Sequence, residues 1–132
     1  LAALPIAITL LIFIIAKERA GSKNIAFLGG PSTSWMGKLR WELLMKAALK
    51  EKVSIVEIGP NPPTIVGGES ALDRVLASGV TAVIAYNDLV AIGLLRAAQA
   101  RGLKVPQDLS IIGIDNTSMP SSLKASASSR VV

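Results

Sequence analysis

The sequence predicts an α/β protein built on a doubly wound, mostly parallel sheet. Three observations predict it. Four short apolar runs, Asn24–Leu28, Val53–Ile58, Val80–Ala85 and Leu109–Ile114, have the length and β-branched content of strands. Between them lie stretches whose apolar residues recur at helical spacing, such as Ala91, Leu94, Leu95 and Ala98. Gly, Pro and Asn-Asp punctuation falls at most junctions, and strands alternating with helices give a parallel sheet.

Composition narrows the chemistry. The chain has 132 residues, enough for one domain with a modest core. It is 51% hydrophobic but only 4% aromatic, so that core is aliphatic. There is no cysteine, which excludes a disulfide framework and a thiolate metal site. There is no histidine, the commonest general base. No catalytic residue, metal site or cofactor is therefore expected. The net charge is +5 and the sequence pI about 9.9, but the charges are dispersed. The densest run, Lys38 to Lys52, interleaves Glu42 and Glu51. Glu42 and Lys46 form a favourable i,i+4 pair, as on a solvated helix face rather than a DNA-contacting one.

In order, Leu1 to Ala16 (LAALPIAITLLIFIIA) carries no charge. It is short for a membrane span, which needs about 20 apolar residues. It also lacks the basic start and small-residue cleavage site of a secretory signal. Three readings stay open: a core segment, the remnant of an anchor or signal, and a fragment of a longer chain.

Asn24–Leu28 is the first strand, followed by the loop Gly29-Gly30-Pro31-Ser32-Thr33-Ser34. Ser34 or a neighbour caps the next helix, whose apolar face is expected to be Met36, Leu39, Leu43 and Ala47. A Gly-rich loop entering a helix resembles a phosphate cradle, but the Lys-Ser/Thr of a P-loop and a spaced GxGxxG are both missing, so a capped turn is expected. Val53–Ile58 is amphipathic enough to lie near a sheet edge. Three prolines in Gly59–Thr64 make a loop. Gly67-Gly68 is expected to precede a helix with Ala71, Leu72, Val75 and Leu76 inward, stopped by Gly79.

Val80–Ala85 and Leu109–Ile114 read as continuous strands buried on both faces. Asp88 sits where a helix N-cap belongs, and Gly102 offers the C-terminal stop, completing a βαβ unit. After Thr117 the pattern fades into Ser and Ala. The reading divides the chain into an apolar leader of open role at 1–20, an α/β lobe at 21–118 and a divergent tail at 119–132.

Ligands of open α/β sheets bind outside the carboxyl ends of the strands, where strand order reverses. That rule picks Gly29–Ser34, Tyr86–Asp88 and Asp115–Thr117. Asn87 offers an acceptor and two donors, Asp115 accepts paired hydroxyl bonds, and Arg40 can swing its fork to the same mouth. Together they suit a polyhydroxylated or similarly polar small molecule. The plainer alternatives are an Asx turn for Asp115, a left-handed turn for Asn87, a surface position for Arg40 and packing for Trp35, Trp41 and Tyr86.

Ala85-Tyr86-Asn87-Asp88, Ala91, Gly93, Gly102-Leu103-Lys104-Val105-Pro106 and Ile112-Gly113-Ile114-Asp115-Asn116-Thr117 carry a resemblance. In pattern and order they resemble the effector-binding core of the lactose-repressor family of bacterial transcription regulators, which shares the type I periplasmic-binding-protein fold. The resemblance runs from about Gly21 to Thr117 and implies one lobe of a two-lobed domain. It implies that Arg40, Asn87 and Asp115 contact a small-molecule effector, with Ser34 a weaker polar contact. It further implies operator DNA binding through a helix-turn-helix not in this chain, and a cytoplasmic location without a membrane. A homodimer through Ala91–Arg96 and about Met119–Lys124 is implied as well. The runner-up, an exported solute receptor of a transporter, would be periplasmic or extracellular. Two departures stand out: Leu43 replaces a glycine usual three residues after the arginine, and Pro60–Val66 has no aromatic to stack on a sugar.

Overall fold

A computed structural model describes residues 3–19, 21 and 24–114. The element order is α1 (Ala3–Arg19), β1 (Asn24–Leu28), α2 (Trp35–Glu51), β2 (Ser54–Ile58), α3 (Ile65–Ser70), α4 (Leu72–Ala77), β3 (Ala82–Ala85), α5 (Asp88–Ala100) and β4 (Ser110–Ile112). The strands form one parallel sheet in the order β2-β1-β3-β4. Each predicted strand is present, trimmed at one or both ends in three of the four.

Strand alternation sends side chains to two helical layers. Ile25, Phe27, Ala82, Ile84 and Ile112 pack with Ile12, Phe13 and Ala16 of α1 and Leu44 and Ala48 of α2. Ala26, Leu28, Val83, Ala85 and Ile111 pack on the other side with Ala71, Leu72, Val75, Val90, Leu94 and Ala98. The sheet is doubly wound, as the sequence predicts. Ile25, Phe27, Leu28 and Ile84 are fully buried, each contributing about 1.5–3 kcal/mol relative to an exposed side chain. β2 is an edge strand, with Ser54, Val56 and Glu57 exposed.

α1 is therefore partly a core element: Ile12, Phe13 and Ala16 are buried, and Lys17 Nζ bonds Glu51 Oε1 of α2 at 2.6 Å. Leu10, Leu11 and Ile14 are exposed. Among the described residues no helix is long and apolar enough to cross a membrane.

Several local expectations are corrected. The buried stripe of α2 is Leu44 and Ala48, supported by Trp41 and Ala47, one position on from the expected Leu43. Helices are read one residue out easily when, as here, apolar residues occupy adjacent positions. Leu76 is 39% exposed rather than inward. Gly67 and Gly68 do precede the helix of Leu72 and Val75, α4, but they themselves lie inside a further short helix, α3. The reason is close helix packing: a Cβ on Gly68 would stand 2.1 Å from the Val90 carbonyl oxygen, and one on Gly93 would stand 1.9 Å from that of Ile65. Contact between α3 and α5 without side chains outweighs the poor helix propensity of glycine. Gly79 and Gly102 do end their helices, at φ +73° and +77°.

Candidate functional site at the sheet switch point

From β1 the chain leads to β2 on one side and later returns to β3 on the other. Connections leave the carboxyl ends of β1 and β3 in opposite directions, and the crevice between them is where such sheets bind ligands. The loop after β1 supplies Ser34, α2 supplies Arg40, and the turn after β3 supplies Tyr86 and Asn87.

Ser34 caps α2, its Oγ accepting from Gly37 N at 3.0 Å. The same Oγ lies 2.8 Å from the Tyr86 hydroxyl across the crevice. Tyr86 reaches it by lying over Gly30, where a Cβ would meet ring carbons at 2.6 Å. Arg40 Nη1 donates to the Tyr86 carbonyl at 3.3 Å. Burial holds the Arg40 guanidinium below its ordinary pKa, with Tyr86 offsetting part of that shift.

Asn87, not Asp88, is the N-cap of α5: its Oδ1 accepts from Val90 N at 2.9 Å. Its backbone is extended rather than left-handed. Asp88 is the first helical residue and fully buried, a position where the helix dipole favours a carboxylate. Asn87 Nδ2 also donates to Pro63 O at 3.3 Å, tying the loop after β2 to the crevice.

Three of the four anticipated ligand residues, Ser34, Arg40 and Asn87, are thus gathered around the Tyr86-Asn87 turn. The fourth, Asp115, lies outside the described residues, as do Asn116, Thr117 and the Met119–Lys124 segment. Each gathered residue already has a protein partner: Tyr86 for Ser34 and Arg40, Val90 and Pro63 for Asn87. Their spare hydrogen-bonding capacity comprises guanidinium N–H groups, one amide N–H and hydroxyls, which suits an uncharged or anionic polar ligand.

Sequence reasoning missed Asn61 and underweighted Tyr86. Asn61 is 2% exposed, and its Nδ2 donates to Gly29 O at 2.7 Å and Ile58 O at 2.8 Å. Its Oδ1 accepts from Arg74 Nη2 at 2.5 Å. It locks the loop after β2 onto the loop after β1. An amide inside a proline-rich loop was the available signal, since such a loop leaves strand carbonyls in need of donors. Trp41 stacks on Phe27, with ring centroids 6.4 Å apart, whereas Trp35 is 70% exposed.

An open parallel sheet with convergent polar groups at its switch point has the layout of a ligand-binding α/β lobe. The chain belongs to the periplasmic binding protein-like domain family, which matches residues 18–131, and within it to the lactose-repressor-like regulators. The HTH-type transcriptional repressor PurR of Pasteurella multocida is 33% identical over 105 residues, covering 73% of this chain and 30% of that protein. A LacI family transcriptional regulator from Bifidobacterium animalis superposes with a TM-score of 0.80 at 25% identity, covering 93% of this chain and 44% of that one. Another, from Enterococcus faecalis with bound ribose, gives 0.67 at 27% identity, covering 87% and 41%. The chain thus spans about a third of the length of such curated relatives and under half of the solved chains. These relatives are transcription regulators, not enzymes.

Proposed function

We propose that this chain is one lobe of the effector-sensing domain of a bacterial lactose-repressor-like regulator. A small polar effector, a sugar or a similar molecule, sits between this lobe and a second one and is held here by Arg40, Asn87 and Asp115, with Ser34 as a lesser contact. Binding shifts the relation of the two lobes and thereby the affinity for operator DNA, which a helix-turn-helix elsewhere in the protein reads. The observation that carries this reading is the convergence of Ser34 and Arg40 on Tyr86, beside Asn87, across the switch point. The ribose bound to the Enterococcus faecalis relative supports a sugar-type ligand. The kinship with regulators favours this reading over an exported receptor, and with it a cytoplasmic location.

The lobe includes α1, because Ile12, Phe13 and Ala16 belong to its core. Dimerisation through Ala91–Arg96 uses the free side of α5. Ala91 and Leu94 are buried inside the lobe, so Ile92, Leu95 and Arg96 are the side chains left to meet a partner.

The test is operator binding by the full-length protein, followed by fluorescence anisotropy against a panel of monosaccharides and their phosphates. At least one member should change operator affinity by about 5- to 150-fold, and Arg40→Met should abolish that response. A sugar that binds the full-length protein without altering its DNA affinity would instead support the solute-receptor reading.

A further inference from the structure

The two flanks of α2 face different surroundings. Arg40 turns toward β3. Lys38, Trp41 and Glu42, at i, i+3 and i+4, share the other flank and overlook the edge strand β2, where Glu57 pairs with Phe27 of β1. Between that flank and β2 lies a cavity of about 310 Å³. Trp41, stacked on the fully buried Phe27, gives it an aromatic wall, Glu42 and Glu57 line it with carboxylates, and Gly29 and Pro60 lie at the strand ends. It shares the Gly29–Ser34 loop with the effector crevice but extends away from it on the β2 side, and Arg40, Tyr86 and Asn87 do not line it.

We propose that this cavity is a second small-molecule site, selective for a compact organic cation with a flat apolar body, such as an amidine or aryl amine. Three features select that chemistry. The lining holds two carboxylates and one ammonium, Lys38, in a chain whose net charge is +5, so this is a negative spot on a basic protein. Trp41, stacked on Phe27 at an interplanar angle of 14°, contributes an indole to the lining, the aromatic side chain that best attracts a cation. The Glu57 carboxylate hangs over Gly29, with Oε2 3.3 Å from where a Cβ would stand, which sets an anionic group at the strand ends in the cavity lining. The volume is at the small end of ligand pockets, about 300–1,000 Å³, which limits the occupant to a compact molecule. The polar groups of the effector crevice, led by the Arg40 cation, suit an uncharged or anionic ligand instead.

The experiment uses the full chain and three isosteric probes: benzamidine (cationic), benzamide (neutral) and benzoate (anionic). Binding is read from the indole N–H resonances, with exposed Trp35 as internal control for Trp41. Benzamidine should shift Trp41 saturably and leave Trp35 unmoved, while benzamide and benzoate bind at least about tenfold more weakly. Glu57→Gln should weaken benzamidine about tenfold, the loss expected for one charge-assisted contact. Glu57 is an exposed edge-strand residue, so this variant keeps the fold even if Trp41→Leu does not. Equal affinity for the three probes, an unchanged affinity in folded Glu57→Gln, or no saturable shift of Trp41 would each overturn the proposal.

Discussion

The Tyr86 hydroxyl lies 2.8 Å from Ser34 Oγ, so one hydrogen bond joins the turn after β3 to the N-terminus of α2. Ser34 Oγ also caps the helix through Gly37 N. The two roles separate by mutation. Tyr86→Phe removes one neutral hydrogen bond and should cost about 1 kcal/mol. Ser34→Ala removes that bond and the cap together and should cost about 2 kcal/mol. Urea denaturation with unchanged m-values checks both.

The Asn61 amide bridges three elements, donating to Gly29 O and Ile58 O and accepting from Arg74. Asn61→Ala leaves two carbonyls without this donor in a buried setting. A loss of about 2–4 kcal/mol is expected, larger than for either change at the Tyr86–Ser34 pair. A loss below about 1 kcal/mol by denaturant titration would show that water replaces the amide without cost.

α3 and α5 meet backbone to backbone at Gly68 and Gly93. Gly93→Ala places a methyl 1.9 Å from the Ile65 carbonyl oxygen, which is backbone and cannot rotate aside. Although alanine is the better helix former by about 1 kcal/mol, overpacking should win and destabilise by about 3 kcal/mol. Thermal unfolding of the variant gives the sign directly.

Much of this architecture was readable from residue patterns, and the exceptions have physical causes. Strands buried on both faces leave a continuous apolar run that periodicity detects, and a serine before a helix reads as a cap. Gly67-Gly68 misled because local propensity argues against a helix, while the deciding factor is an approach of α5 that only tertiary structure shows. Asn87 and Asp88 are both good caps, and adjacent equivalents cannot be ranked without knowing which one the buried sheet swallows. The candidate site was legible as loops at strand ends, and the structure does bring Arg40, Asn87 and Ser34 together there. The role of Tyr86 as the shared partner of Ser34 and Arg40 was not legible, because it depends on Gly30 lying beneath its ring.

The Lys17–Glu51 pair links α1 to α2 and titrates in a defined direction. The hydrogen bond from Lys17, then its charge, holds the Glu51 carboxyl below its ordinary pKa, aided by Lys50 and opposed by slight desolvation. A depressed folded-state pKa contributes stability above the unfolded carboxylate pKa, lost as pH falls through the folded value. The effect is small because the pair is exposed. Lys17→Met should raise the Glu51 pKa and flatten the stability profile over that acidic window, as read by NMR titration and pH-dependent melting.

Arg40 supplies the cation of the crevice, and a ligand meeting its remaining N–H groups gains charge-assisted bonds. Arg40→Met should weaken effector binding by about tenfold or more, measured calorimetrically on the full-length protein.

The most direct test of the account is to titrate the effector that alters operator binding into isotope-labelled full-length protein and map the shifts. The account predicts that the strongest changes fall on Gly29–Ser34, Arg40, Tyr86–Asp88 and Asp115. Asp115→Ala should erase them without lowering the unliganded melting temperature. Shifts centred instead on the exposed side of α5 or on α1, with the switch-point residues silent, would contradict it.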